Sequence, residues 1–264
     1  TILSTGSPLL VDHFEYIEKS IKDNTQISSI SGGTDIISCF ALGNPNEPVY
    51  RGEIQSKGLG MAVKIFNASG EEVPTGEKGE LVCTQSFPSM PIGFFNDTNN
   101  EKYKKSYFKK YNNVWAQGDY ASFTDHDGLI IFGRSDATLN SGGIRIGTAE
   151  IYRQLEKFPN ILESVVIEEE EDGDSFVSLF IILKENIELT EELIIKIKEE
   201  IKVNTSPRHV PKKITLVPDI PRTRSGKISE LSVKAAINGN EIKNIEALAN
   251  PNSIDFFKQL RIQN

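Results

Sequence analysis

Apolar positions at the start of the chain follow two spacings, which predict a strand, a helix and a second strand. Thr1–Thr5 is predicted as a strand, followed by a turn at Gly6-Ser7-Pro8. Apolar side chains then recur every three or four residues, which predicts one helix face made of Leu10, Phe14, Ile17 and Ile21. Gln26–Ser31 is predicted as a buried strand that ends at a Gly-Gly pair.

The middle of the chain, from residue 53 to residue 132, has the short apolar runs and frequent turn residues that are typical of β-structure. Met61–Phe66 alternates between apolar and polar residues, and Glu80–Thr84 follows a glycine-rich turn. Trp115–Phe132 is predicted as two strands around Asp125-His126-Asp127-Gly128. We interpret those four residues as a turn and not as a metal site, because polar residues before a glycine between two strands are typical of turns.

The second half alternates between helical and strand spacing. We expect a helix that Thr148 caps and Pro159 ends, and a second helix that Thr190 caps. Three strands are expected at Ser164–Glu170, Phe176–Leu183 and Ile214–Val217, the first two joined by an Asp172-Gly173 hairpin turn. Further helices are expected after Lys227 and near Ser253–Leu260. This order predicts a small α+β domain, with its boundary in the polar, glycine-rich stretch Asp136–Gly143.

Composition narrows the class of protein. The 264 residues carry a net charge of −8, which argues against a broad nucleic-acid interface, so we expect no nucleic-acid partner. Two distant cysteines, Cys39 and Cys83, fit a reducing compartment and unpaired, buried thiols. No window has the roughly 18 apolar residues of a membrane span. We therefore expect a cytoplasmic protein with no membrane contact. The first residue is not Met, so we expect the chain to be part of a longer protein.

Candidate chemistry begins in the basic segment Pro221–Lys227, where a glycine precedes Lys227 in a short loop after an apolar run. Such a loop can bring one mobile ammonium group to a phosphate or a carboxylate. On its own the segment is equally compatible with a turn that carries a solvated lysine.

Motifs upstream of that segment favour a functional role for Lys227. The chain contains Gly118-Asp119-Tyr120-Ala121, then Asp127-Gly128-Leu129-Ile130-Ile131-Phe132-Gly133-Arg134-Ser135-Asp136, then Ser141-Gly142-Gly143-Ile144-Arg145-Ile146-Gly147. In this order, and ahead of Lys227, these segments resemble the adenylate-forming acyl-CoA synthetases. The resemblance implies an α/β plus α+β fold, with residues 1–136 as the end of the large adenylation domain and residues 137–264 as the C-terminal lid domain. The large-domain part would supply a sheet edge and a β-rich subdomain.

The resemblance also implies the reaction. A carboxylic acid attacks the α-phosphate of ATP to give an acyl-adenylate and pyrophosphate, and CoA then displaces AMP. The first step brings two anions together, so it needs cations and Mg²⁺. Lys227 would be the catalytic cation. Acetylation and deacetylation enzymes that act on Lys227 are further expected partners.

The nucleotide-binding residues implied by the resemblance lie mostly in the first half. Asp119 would accept the ribose hydroxyls, and Arg134 would reach a ribose or phosphate oxygen; the alternatives are an Asp in a turn and a surface salt bridge. Thr34 would contact the α-phosphate and Asp35 would hold Mg²⁺, although either residue could instead be a helix N-cap. The turn Gly6, Ser7 and Pro8 would line the adenine, with Ser7 where many relatives carry Glu.

Four residues beyond the boundary are implied in CoA and nucleotide binding. Ser141 and Gly142 would line the pantetheine tunnel, and Arg145 would meet the nucleotide or CoA; the alternative for this stretch is a flexible linker. Lys202 would lie near the CoA phosphates, although lysine-rich helices are usually solvated. Asp136 would be the hinge between the two domains.

The identity of the acid depends on Gly32 and Gly33. Gly32 stands where acetyl-CoA synthetases place a tryptophan that closes the acyl pocket, so the acid is expected to be larger than acetate, and the resemblance favours acetoacetate. The alternatives are an acyl-CoA synthetase for another short or medium acid, and a non-catalytic module that binds a nucleotide or CoA. The Ser/Thr/Gly-rich phosphate loop of the family is not found in these residues, so we expect this chain alone to lack ligase activity.

Overall fold

Contacts within the chain divide it into two units, residues 1–135 and residues 136–264, which are described separately. The structure is a computed structural model, and it describes residues 1–141, 144–171 and 174–263. No helix in these ranges is long and apolar enough to cross a membrane. The Asp172-Gly173 turn lies outside the described residues, although the strands on either side of it pair as expected.

Unit 1 contains nine strands and two helices within the described residues. The strands are β1 (Ile2–Ser4), β2 (Ile27–Ser29), β3 (Ser31–Gly33), β4 (Ser38–Leu42), β5 (Ser56–Lys57), β6 (Val63–Phe66), β7 (Gly79–Cys83), β8 (Trp115–Phe123) and β9 (Leu129–Arg134). The helices are α1 (Val11–Tyr16) and α2 (Glu101–Tyr107).

An antiparallel sheet with the order β6-β7-β8-β9 forms the main part of unit 1. Strand β7 is buried at all five positions because it lies in the interior of this sheet and is packed on both faces. Trp115 is fully buried at the start of β8, within a core cluster that includes Phe40, Leu81 and Leu129. Cys83 is buried and Cys39 is half-buried, and burial raises the pKa of both thiols.

The first helix differs from its predicted face at one residue. Leu10, Phe14 and Ile17 are buried, but Ile21 is 61% exposed. After Tyr16 the helix continues as a π-helical turn over Ile17–Ile21. A π turn holds more residues than an α turn, so the residue four positions after Ile17 no longer points to the core.

Unit 2 contains five strands and four helices within the described residues. The strands are β10 (Leu139–Ser141), β11 (Ile144–Ile146), β12 (Ile161–Glu171), β13 (Asp174–Leu183) and β14 (Lys213–Leu216). The helices are α3 (Thr148–Leu155), α4 (Glu191–Asn204), α5 (Glu230–Asn238) and α6 (Ser253–Gln263).

The central sheet of unit 2 has the order β12-β13-β14 and helices on both faces. Alternating residues of its strands enter two separate cores: Val177, Leu179 and Ile181 pack with α3 and α4, whereas Phe180 packs with α5 and α6. This arrangement confirms the predicted fold class of mixed α/β and α+β structure.

Two helix caps were predicted in unit 2, and the structure differs at one of them. Thr190 caps α4, because its Oγ1 accepts a hydrogen bond from the N–H of Leu193 at 3.3 Å. Thr148 is instead the first residue of α3 and is buried, and the cap is Gly147, whose N–H donates to Glu150 Oε2 at 3.2 Å. A glycine fits this position because the glutamate side chain supplies the capping hydrogen bond.

Ile197 and Ile195 on α4 provide a matched test of this packing. Ile197 is fully buried and Ile195 is 53% exposed. We expect Ile197→Ala to lower the free energy of unfolding by about 2–5 kcal/mol, because the removed atoms leave a cavity. Ile195→Ala should change it by about 0.5 kcal/mol or less. Urea denaturation followed by far-ultraviolet circular dichroism measures both, and equal effects would contradict the described orientation of α4.

Candidate nucleotide site and lysine loop

Asp119 and Arg134 face each other on neighbouring strands of unit 1. Antiparallel pairing of β8 with β9 places the two residues opposite one another. Arg134 Nη1 lies 3.4 Å from Asp119 Oδ1 and donates to the Gln117 carbonyl oxygen at 2.9 Å. The Arg134 side chain is 48% exposed and that of Asp119 only 13%, so the guanidinium is the more accessible of the two groups. Sheet register therefore brings together two residues that are 15 positions apart in sequence.

An irregularity in β8 lies immediately before Asp119. Tyr120 pairs with Glu80 on β7, but the next pairing joins Ala116 to Val82, so β8 carries extra residues between the two pairs. Gly118 lies in this bulge with φ +84°, a conformation that L side chains rarely adopt. A Cβ at Gly118 would overlap the guanidinium of Arg134. The backbone angle therefore favours glycine here, and a Cβ would displace the guanidinium of Arg134.

Thr34 and Asp35 lie in the turn that joins β3 to β4, and both are exposed. No helix begins there, so the alternative interpretation of these residues as a helix N-cap is wrong for this structure. Asp35 Oδ2 accepts a hydrogen bond of 2.6 Å from the hydroxyl of Tyr107, at the end of α2. A Cβ at Gly33 would overlap Asp35 Oδ1 and approach Gln117 Nε2. This turn and the β8 bulge are consequently neighbours.

Tyr107 is a member of this cluster that sequence reasoning missed. Its ring stacks on Trp115 with centroids 3.7 Å apart, and Trp115 Nε1 donates to Gln117 Oε1 at 2.8 Å. Burial and the hydrogen bond to Asp35 raise the pKa of Tyr107, so its hydroxyl is a donor at neutral pH. The i, i+4 spacing of Tyr103 and Tyr107 was the available signal, but it does not indicate a contact with a loop 72 residues away.

Gly6, Ser7 and Pro8 follow the carboxyl end of β1, and β3 follows that of β2 after one residue. Because β1 and β2 are parallel, these carboxyl ends meet at one edge, where ligands bind in open α/β sheets. Gly6 has φ +98°. A Cβ at Gly32, in β3, would overlap the carbonyl oxygen of Ser38 in β4, so close backbone approach also accounts for a glycine there. The acyl-pocket role of Gly32 and Gly33 stays a prediction. A Gly32→Trp substitution would not test it cleanly, because the new side chain would overlap the backbone of β4.

Lys227 is exposed at the end of a tight turn in unit 2. The N–H of Thr223 donates to the Lys227 carbonyl oxygen at 2.8 Å, and Gly226, with φ +83°, donates to the Thr223 carbonyl oxygen at 2.8 Å. Among the described residues, the Lys227 ammonium group forms no hydrogen bond or ion pair. The backbone of Lys227 is thus held while its charge is available to a ligand.

A distant segment holds this turn in place. Asn250 Oδ1 accepts from the N–H of Arg222 at 2.8 Å, and its Nδ2 donates to Asp219 Oδ2 at 2.7 Å and to the Ile220 carbonyl oxygen at 2.9 Å. The N–H of Ala249 donates to the Arg222 carbonyl oxygen at 2.8 Å. The lysine turn therefore depends on residues more than 20 positions downstream.

The remaining predicted site residues of unit 2 are placed separately. Lys202 is exposed near the end of α4, and Arg145 on β11 is exposed with Nη2 3.3 Å from Thr138 Oγ1. Ser141 ends β10, Gly142 lies outside the described residues, and Asp136 is exposed as the first residue of unit 2. Their roles stay predictions.

Asp35 is the predicted metal-binding residue. Within the described ranges, no group of three or more His, Cys, Asp or Glu side chains lies close enough together to hold a metal ion. Mg²⁺ typically keeps several waters and binds through one or two carboxylates together with substrate phosphates. A single exposed carboxylate in a turn fits that mode of binding, so Asp35 could hold Mg²⁺ together with a nucleotide.

Comparisons with known proteins identify the class. Residues 151–227 match the family of the AMP-binding enzyme C-terminal domain. Over 99% of this chain, the fold matches the structure of the acetoacetyl-CoA synthetase from Streptomyces lividans, with a TM-score of 0.90 and 40% identity. The structure of an anthranilate CoA ligase shares the fold at a TM-score of 0.75. The chain therefore resembles the C-terminal part of adenylate-forming acyl-CoA synthetases.

Within this superfamily, the chain is similar to acetoacetyl-CoA synthetases. It is 54% identical to the acetoacetyl-coenzyme A synthetase of Rhizobium meliloti over 97% of its length, and 46% identical to that of Xenopus tropicalis over 98%. The predicted resemblance is thereby confirmed. The chain spans 39% of the length of each of these two relatives.

Gly118 and Gly76 offer a matched pair of substitutions, because both have φ +84° but a Cβ at Gly76 meets nothing within 4 Å. We expect Gly118→Ala to weaken ATP binding by the complete protein about tenfold or more, since the methyl group displaces Arg134. Gly76→Ala carries the same backbone strain and should leave the affinity unchanged. Isothermal titration calorimetry with ATP measures both, and equal affinities for the two variants would show that Arg134 does not contribute to binding.

Proposed function

We propose that this chain is the C-terminal part of an acetoacetate–CoA ligase, which forms acetoacetyl-CoA, AMP and pyrophosphate through an acyl-adenylate. Residues 1–136 then belong to the large adenylation domain and residues 137–264 to the lid domain. The observation that carries the proposal is the Asp119–Arg134 pair on neighbouring strands, in a chain 54% identical to an acetoacetyl-coenzyme A synthetase. The substrates are acetoacetate, ATP and CoA, and the proposed compartment is the cytoplasm.

The site chemistry follows from the charges and donors of the described residues. The Asp119 carboxylate accepts hydrogen bonds from the ribose hydroxyls, and Arg134 donates to a ribose or phosphate oxygen. Thr34 provides a hydroxyl donor to the α-phosphate. The exposed turn Gly6-Ser7-Pro8 provides backbone groups for the adenine. Arg145 is a further nucleotide contact, and Ser141, Gly142 and Lys202 are the proposed CoA-binding residues.

Lys227 supports the first half-reaction by neutralising charge. The attacking carboxylate and the α-phosphate are both anionic, and an ammonium group on a held turn stabilises the charge that develops between them. Asp35 would hold Mg²⁺ together with the phosphates, and the ion would supply further positive charge. Acetylation of Lys227 would remove its positive charge, which supports acetylating and deacetylating enzymes as regulatory partners.

Two other functions remain open for testing, namely ligation of another short or medium acid and nucleotide or CoA binding without turnover. The test incubates the complete protein with ATP, CoA and a panel of acids, and detects AMP and each thioester by mass spectrometry. Acetoacetyl-CoA as the preferred product supports the proposal. If another thioester is preferred, the substrate is a different acid. Nucleotide binding without any thioester supports the non-catalytic module. The 264-residue chain alone, without the phosphate loop, should give no product.

Substitution of Lys227 separates the two half-reactions. In the complete enzyme, we expect Lys227→Ala to lower the rate of adenylation by roughly 10²–10³-fold, because one charge-assisted contact in a dry site is lost. Thioester formation from supplied acetoacetyl-adenylate should be largely spared. The bond between the carboxylate and the α-phosphate, whose formation Lys227 assists, already exists in that compound. Lys243→Ala, an exposed lysine elsewhere in unit 2, is the control. Equal losses in both half-reactions would contradict the assigned role.

Asp136 is the proposed hinge, and its backbone freedom can be tested directly. Proline fixes φ near −65°, so we expect Asp136→Pro to hold one orientation of the domains and to abolish one half-reaction while the other continues. Asp136→Ala, which removes the side chain but keeps the backbone free, should retain both. Single-turnover measurements of each half-reaction decide the matter. Retention of both by the proline variant would place the hinge elsewhere.

A further inference from the structure

Glu80 is a buried carboxylate that has no role in the chemistry described above. It lies in β7, in the interior of the antiparallel sheet of unit 1, and its side chain is only 1% exposed. Its Oε1 accepts two hydrogen bonds, from the N–H of Gly118 at 3.0 Å and from Ser135 Oγ at 2.9 Å. Its Oε2 forms an ion pair with the ammonium group of Lys110. A buried charge with three such partners holds them in a fixed arrangement.

The two hydrogen bonds to Glu80 bracket the candidate nucleotide-binding pair. Gly118 immediately precedes Asp119, and Ser135 immediately follows Arg134. Gly118 lies in the bulge of β8, where the regular pairing with β7 is interrupted. An interrupted pairing leaves backbone groups without a ladder partner, and a buried N–H without an acceptor is costly. Glu80 supplies that acceptor to Gly118.

The same carboxylate oxygen links β8 to the end of β9. Ser135 donates its hydroxyl hydrogen to Glu80 and its backbone N–H to the Gly118 carbonyl oxygen at 2.8 Å. Gly118 is therefore held from both its N–H and its carbonyl side. If the Glu80 carboxylate or the Ser135 hydroxyl turned away, this closed set of hydrogen bonds would break.

We infer that Glu80 is a positioning residue of the nucleotide site, which acts through Gly118 and Ser135 to hold Asp119 and Arg134 in their facing arrangement. The inference rests on the proposed function of that pair in nucleotide binding. Glu80 itself touches neither the nucleotide nor the reacting atoms. The competing view is that Glu80 and Lys110 form a buried ion pair that stabilises the fold alone.

Three variants of the complete protein separate these views. Glu80→Ala removes the acceptor. Glu80→Gln combined with Lys110→Met keeps an amide oxygen that accepts from Gly118 and Ser135, and it removes the cation that the amide nitrogen would otherwise face. Val82→Ala truncates a fully buried residue two positions along the same strand, in a cluster with Tyr111 and Ala116. It controls for loss of stability alone.

ATP affinity by isothermal titration calorimetry and thermal unfolding are measured for each variant. We expect Glu80→Ala to weaken ATP binding about tenfold or more, because the buried N–H loses its acceptor and the bulge shifts. The double variant should remain within about threefold of the unsubstituted protein. Val82→Ala should lower the unfolding temperature without changing the affinity.

Unchanged ATP affinity in Glu80→Ala overturns the inference, and so does a double variant that binds as weakly as Glu80→Ala. If Glu80→Ala does not fold, Ser135→Ala decides: it removes one of the two hydrogen bonds, so an affinity loss of about threefold supports positioning and an unchanged affinity overturns it. ATP binding by the unsubstituted protein tests the proposed function separately from the positioning role of Glu80. If that protein binds no ATP, the proposed function itself is wrong.

Discussion

The interruption of the hydrogen-bond ladder in β8 is the constraint on which the candidate site of unit 1 depends. A regular strand would alternate its side chains strictly across the two faces of the sheet, and it would satisfy every N–H from its neighbours. The extra residues around Gly118 break that alternation immediately before Asp119, which pairs with Arg134 on β9. Glu80 makes the irregularity tolerable in a buried sheet, because its carboxylate replaces the missing ladder acceptor.

The surrounding aromatic cluster extends this constraint to the loops. Trp115 is fully buried at the start of the same strand, stacks on Tyr107 and donates to Gln117, while Tyr107 holds Asp35. The loop that carries Thr34 and Asp35 is thus tied to the rigid sheet through two aromatic rings. Groups that bind a flexible polyphosphate gain from such support, because less conformational entropy is lost when the ligand binds.

The sequence predicted most regular elements because their patterns are local. The caps, periodicities and glycine turns of unit 2 indicated its helices and strands, and the alternation in β6 indicated a half-buried strand. Departures arose where backbone irregularity or distant contacts decide the outcome. The π turn rotated Ile21 to solvent, and Glu150 allowed Gly147 to cap α3 in place of Thr148.

The candidate site was only partly accessible from the sequence. The motifs indicated Asp119, Arg134 and Lys227 because their residue types and order resemble a known family. Tyr107 and Glu80 carried no such signal: one is an ordinary aromatic residue in a lysine-rich helix, and the other an ordinary acidic residue after a turn. Their importance comes from contacts with residues 72 and 38 positions away, which no local pattern encodes.

The dependence of the lysine turn on Asn250 has a consequence for the order of events during synthesis. The N–H of Ala249 donates to the Arg222 carbonyl oxygen, and the N–H of Arg224 donates to the Ala247 carbonyl oxygen. Asn250 Oδ1 accepts from the Arg222 N–H. Lys227 therefore emerges from the ribosome before the residues that shape its turn have emerged. The turn that carries Lys227 has its full set of hydrogen bonds only when residue 250 has emerged and packed. Premature assembly of this part of the site is excluded by the connectivity of the chain alone.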